Sequence, residues 1–126
     1  MRMDFDLYDY LVASANGTLS SLPKPSWKKQ SSVCVVMASK GYPEAYPKGE
    51  EITGLGLQQK DTFVFHAGTK KEGNKILTNG GRVLGVTALG DTLASAISNA
   101  YYTAEKIHWP SKYYRKDIGK KGLSFL

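Results

Sequence analysis

The stretch "VFHAGTKKEGNKILTNGGRVLGVTA", Val64–Ala88, decides the fold. The β-branched and aromatic run "TFVFHA", Thr62–Ala67, predicts a strand. "KEGNK", Lys71–Lys75, has the glycine and asparagine of a tight turn, and "KILTN" is expected to run back against "TFVFHA" as a hairpin. "RVLGVTAL", Arg82–Leu89, reads as a further strand, with Gly85 marking a bulge or the close approach of another backbone. Two glycines stand directly before Arg82. Strands that are otherwise good are thus interrupted by bare backbone followed by a fixed positive charge.

Working outward, "SVCVVMAS", Ser32–Ser39, is a continuous apolar run and predicts a strand buried on both faces. A loop rich in proline and glycine follows, and Ile52-Thr53-Gly54 reads as a short strand. On the C-terminal side, Asp91 or Thr92 caps a helix through Ile107, with Leu93, Ile97, Ala100, Tyr101, Ala104 and Ile107 as its apolar stripe. It ends before Trp109-Pro110, where proline cannot continue it. Near the N-terminus, Leu7, Leu11, Val12 and Ala15 recur at helical spacing between a cap at Asp4 or Asp6 and a stop at Asn16-Gly17, predicting an amphipathic helix packed on a neighbour. "SSLPKPSWKKQSS", Ser20–Ser32, has a linker's composition. The reading is therefore a helix and linker over 1–31, then a domain over 32–126 that is mainly β with one covering helix (α+β).

At 126 residues, with 41% hydrophobic and 22% charged residues, the chain is one globular domain with an appendage. Its net charge of +6, from 17 Lys+Arg against 11 Asp+Glu, suits an anionic partner. A single cysteine, Cys34, permits no internal disulfide, which agrees with a cytoplasmic location, and within an apolar strand it reads as a structural thiol. His66 and His108 have no partner cluster for zinc, and neither a phosphate-binding P-loop nor an organised carboxylate pair is present. No metal site is expected in this chain, and a complete enzyme is not found in it.

The remaining candidates bind anions. In "HAGT" and "TNGGR", Gly68, Gly80 and Gly81 can bring backbone N–H groups close to phosphate oxygens, with His66 and Thr69 beside them. Arg82 opens an apolar strand, where an unpaired guanidinium would be costly, so an anionic partner is expected. That partner is either a bidentate phosphate or a carboxylate of the same domain, in which case Gly80-Gly81 is only a turn. Spacing alone leaves both open.

"VVMASKGYPEAYPKGEEITG", "VFHAGT", "TNGGRVLGVTALGDTLASAISNAY" and "YYRKDIG" together resemble the C-terminal domain of the phosphoribosylamine–glycine ligase (glycinamide ribonucleotide synthetase) family of ATP-grasp enzymes. The likeness runs from about Ser32 to the end, and the first helix is similar to the family's segment after its acidic Arg-Phe-Gly-Asp-Pro-Glu motif. That motif and the ATP-grasp region lie outside this sequence, so the chain is expected to be the C-terminal part of a longer enzyme.

The resemblance implies a ligase of purine biosynthesis that joins glycine to 5-phosphoribosylamine, using ATP with Mg or Mn. ATP and metal would be bound mainly outside this chain, by the N-terminal and ATP-grasp domains. It also implies a barrel-sandwich (single) hybrid fold that contributes the ribotide-phosphate side of the cleft. Gly81-Arg82-Val83-Leu84-Gly85 would grip the phosphate, with His66-Ala67-Gly68-Thr69 facing it across the hairpin. A helping lysine is implied at Lys48 or Lys70.

Two rivals come from other classes. The tail "SKYYRKDIGKKG" interleaves Trp109, Tyr113 and Tyr114 with Lys112, Arg115 and Lys116, as single-strand nucleic-acid readers do. A biotin- or lipoyl-carrier domain would share the barrel-sandwich shape, but the Lys70-Lys71-Glu72-Gly73 turn lacks a carrier's flanking pattern.

Overall fold

The structure is a computed structural model and describes residues 1–57 and 59–125. Its centre is a four-stranded antiparallel sheet made of β1 (Ser31–Ser39), β2 (Thr62–His66), β5 (Arg82–Gly90) and β6 (Lys112–Tyr113), in the order β2-β5-β1-β6. Val35 pairs with Val86 and Val64 pairs with Val86 from the other side, so β5 is the central partner of both neighbours. A hairpin of β3 (Thr69–Glu72) and β4 (Lys75–Thr78) stands apart as a second sheet. The mainly antiparallel β architecture with a covering helix is as the sequence predicts.

Three strand expectations change. "TFVFHA" does not pair with "KILTN"; it pairs with β5, and β4 pairs with Thr69–Glu72. The turn at Gly73, with φ +57°, is where the sequence puts it, but the chain first reverses at Ala67-Gly68. Gly85 is not a bulge either. It sits in regular register opposite Val36 and Phe65, and an added Cβ would make only ordinary contacts. The bulge lies nearer the strand's start, where Met37 pairs with Leu84 but Ala38 pairs with Arg82. Third, β1 is buried on one face only. Val33, Val35, Met37 and Ser39 are buried, while Cys34 and Val36 are exposed. Their outer face also carries the exposed Phe63 and Phe65. An unbroken apolar run cannot distinguish two covered faces from one covered face and one bare apolar face. Cys34 is therefore a surface thiol and not a core one.

The inner face packs on α2 (Leu93–Lys106), whose start is fixed by a reciprocal cap: the Thr92 side chain accepts from Ser95 N–H, and Thr92 N–H donates to Ser95 Oγ at 3.1 Å. Its buried residues are Ala96, Ala100, Thr103 and Ala104. Leu93, Ile97 and Tyr101 are only partly buried and flank this contact line. Small residues line the closest approach because there is no room for more: a Cβ on Gly90 would collide with the backbone of Ser95 and Ala96. The C-terminal segment then folds over the flank. Gly119 lies against Ile97, and Gly122 lies against Leu93. Within it, α3 (Lys120–Leu123) is a single turn of helix.

The N-terminal α1 (Leu7–Ala15) is capped by Asp6, which accepts from Tyr8 N–H at 2.8 Å. Only Ala13 is buried; Leu7, Leu11 and Val12 are exposed, so no neighbour covers the stripe among the described residues. Residues 1–28 instead hold one another. Asp4 N–H donates to Ser26 C=O, Tyr10 donates to Pro23 C=O, and Phe5 packs edge-on to Trp27. Ile52-Thr53 contributes isolated bridges and no full strand: Glu51 pairs with Leu77 and Thr53 with His108.

Candidate functional site

The start of β5, the end of β2 and the loop after β1 converge on an open cleft of about 610 Å³. Four of the candidates read from the sequence line it: His66, Gly68, Gly81 and Arg82. The other two are adjacent, since Thr69 Oγ1 lies 3.0 Å from His66 Nδ1 and Gly80 packs against Gly68. His66-Ala67-Gly68 does not face Arg82 across a hairpin. It lies beside it: Ala67 N–H donates to Val83 C=O and Gly68 N–H to Arg82 C=O, at 3.0 and 2.9 Å.

That geometry separates the glycines. Gly68 N–H is already committed to the Arg82 carbonyl and is not free for a ligand. Gly68 is glycine because an added Cβ would meet Arg82 O at 2.6 Å and Gly80 Cα at 2.7 Å. Gly80 and Gly81, in contrast, donate their N–H groups to no acceptor among the described residues. Gly81 C=O accepts from Ser39 N–H at 2.9 Å, which ties this backbone to β1.

Arg82 is exposed, so the burial cost that seemed to demand a partner does not arise. The structure gives its side chain no hydrogen bond and no salt bridge among the described residues, where the pairs are Lys70–Glu72, Lys75–Glu51 and Arg115–Asp117. Of the two helper lysines, Lys70 is paired with Glu72, whereas Lys48 stands 5.7 Å from the centre of the Tyr46 ring. Neither lines the cleft.

The sequence reading missed the apolar wall made by Tyr42, Phe65, Val36 and Leu84. The alternation Phe63–Val64–Phe65 could have signalled an aromatic outer face, but Tyr42 arrives through a loop that periodicity does not describe.

The C-terminal tail is occupied internally. Arg115 donates to both oxygens of Asp117, and this hydrogen bonding holds the Asp117 carboxyl below its usual range. Lys112 Nζ donates to Ile107 C=O at the end of α2, and burial lowers its pKa. Tyr101 donates to Arg115 C=O, and Tyr114 packs on the core. No helix among the described residues is long and apolar enough to cross a membrane.

A one-sided antiparallel sheet under a helix, with an unpaired arginine and free glycine amides at one strand end, defines a small α+β domain with an open, cationic cleft. The chain belongs to the family described as phosphoribosylglycinamide synthetase, C domain, which matches residues 32–121. It is 50% identical over 114 residues to a phosphoribosylamine–glycine ligase of Synechocystis, covering 90% of this chain and 27% of that protein. The ligase of Phenylobacterium zucineum is 46% identical over 125 residues, covering 98% of this chain and 30% of the relative. A crystal structure of the phosphoribosylamine–glycine ligase from Thermotoga maritima superposes with a TM-score of 0.65 at 34% identity, over 85% of this chain and 27% of that one. The chain thus spans less than a third of the length of these relatives.

Proposed function

We propose that this chain is the substrate-side domain of an ATP-dependent ligase that joins glycine to 5-phosphoribosylamine, giving glycinamide ribonucleotide in purine biosynthesis. The observation that carries the reading is the unpaired Arg82 on an open cleft in a domain of this family, next to the Gly80-Gly81 backbone, whose N–H groups have no acceptor among the described residues. A phosphate monoester needs a planar pair of donors and nearby backbone amides, and this strand end supplies both. His66 and Gly68 line the cleft beside Arg82, and Thr69 holds the His66 ring. Thr69 hydroxyl, by donating to Nδ1, would leave Nε2–H of His66 available to the ligand. The unit carrying this role is residues 32–126, with 1–31 as the helix and linker that join it to the rest. The barrel-sandwich arrangement belongs to the same proposal; it is supported by the backbone hydrogen bonds that Glu50 and Ile52 make along β4, at the free side of the hairpin.

The cleft beside Arg82 offers a cation and backbone groups, and does not itself fit a magnesium–ATP site. Among the described residues no three Asp, Glu, His or Cys side chains come together, and no carboxylate lines the cleft beside Arg82. Phosphoryl chemistry would fall to the remainder of the ligase, and this domain would bind, orient and neutralise the ribotide. Nothing in the tail favours the nucleic-acid reading, because its arginine, its Lys112 and two of its aromatic rings serve the fold.

A chimera tests the proposal. The C-terminal segment of the Synechocystis ligase is replaced by this chain, and ADP release is followed with glycine and phosphoribosylamine. The chimera is expected to turn over and this chain alone is not. A chimera that folds and binds ATP but is inactive would contradict the assignment, as would substrate-dependent turnover by the 126 residues alone.

A further inference from the structure

Tyr42 has a position that burial does not explain. Its ring lies directly over Gly81: a Cβ built on that glycine would meet three ring atoms of Tyr42, all within 2.7 Å. Yet Tyr42 is 44% exposed, and its hydroxyl has no hydrogen-bond partner among the described residues, so the ring is not a core plug. It is braced from behind. The Tyr46 ring meets it edge-on at 5.9 Å, and the Lys48 ammonium stands over the Tyr46 ring. Its backbone is anchored through Tyr42 N–H to Ser39 C=O, and the next N–H in that corner, Ser39's, holds Gly81 C=O. Tyr42 also lines the cleft beside Phe65 and Arg82.

We propose that Tyr42 is a positioning residue for the phosphorylated sugar. Its ring packs on Gly81 while Gly68 packs on Gly80, so that the Gly80-Gly81 backbone keeps a fixed spacing from Arg82. Its outer face forms the wall on which the carbon skeleton of a sugar phosphate rests. This rests on the ribotide-phosphate reading of the cleft. Gly81 is then glycine because an aromatic ring occupies the place of its side chain, and the close approach of phosphate is a consequence. A flexible Gly-Gly pair would otherwise lose backbone freedom on binding, and holding it in place beforehand removes that cost.

The test is amide NMR of this chain titrated with ribose 5-phosphate. Wild type is expected to show saturable shifts at Gly80 and Gly81 that Arg82→Ala abolishes. Tyr42→Phe keeps the ring and should bind like wild type; Tyr42→Leu should bind about tenfold more weakly, with the β1 and β5 amide signals unchanged. Gly81→Ala, which displaces the ring without altering Tyr42, should weaken binding in the same way, and it serves where Tyr42→Leu perturbs folding. Binding that depends on Arg82 but not on Tyr42 or Gly81 would overturn the positioning role and leave the phosphate reading standing. No response in wild type, or Arg82→Ala binding as wild type does, would overturn both.

Discussion

An added methyl group at Gly68 would press on the Arg82 carbonyl and the Gly80 backbone, whereas at Gly81 it would press on the half-exposed ring of Tyr42. Backbone paired on both sides cannot give way, but a ring at the surface can swing aside. Gly68→Ala is therefore expected to cost about 2–3 kcal/mol in a denaturant melt and Gly81→Ala about 1 kcal/mol. The opposite order would mean that the two glycines have been assigned the wrong neighbours. In the sequence these residues could only be flagged together as bare backbone near a charge. Which amide is spent on Arg82 C=O and which has no acceptor follows from the pairing of Gly68, just past the end of β2, with the distant start of β5. Arg82 stood out in the sequence for the cost of burying its guanidinium at the head of an apolar strand, but the residue is exposed.

At the scale of elements, the boundaries of α2 and its Thr92 cap were readable from local chemistry, since both depend on neighbours in sequence. Its face was less so. Of the predicted stripe, Ala100, Ala104 and Ile107 are buried, whereas Leu93, Ile97 and Tyr101 only flank the contact, and Ala96 and Thr103 join it because the crossing is too close for larger groups. Overpacking should thus exceed truncation. Ala100→Leu is expected to cost about 3 kcal/mol or more, Ile97→Ala about 1–2 kcal/mol as a flanking residue, and exposed Ser98→Ala almost nothing. Urea melts of the three variants check the order, and Ile97→Ala costing more than Ala100→Leu would put the helix in the wrong rotation. The same distinction between pattern and cover applies to β1 and α1. Apolar residues were identified correctly in both, but sequence does not say what lies against them, and Val36, Leu7 and Leu11 lie bare.

For the molecule as a whole, the sheet-and-helix plan follows from the succession of strands and one long amphipathic helix, and family membership follows from motifs spread over residues 32–121. The site is legible only in part because it is assembled where three chain segments meet, and the Tyr42 loop has no periodic signal. What the assembly offers is charge without a partner: Arg82 has none among the described residues, and an open cleft lies beside it. That charge serves either a ligand or the fold, and the two roles have opposite consequences. In the Synechocystis chimera, melting temperature and the KM for phosphoribosylamine are measured on the same Arg82→Ala variant. Hydrogen bonds to charged groups are worth about 1.5–3 kcal/mol, so the variant should keep its melting temperature, lose about ten- to a hundredfold in kcat/KM for the ribotide, and retain normal KM values for glycine and ATP. Arg82→Lys, which keeps the charge but not the planar fork, should fall between. A lowered melting temperature with an unchanged ribotide KM would contradict the account.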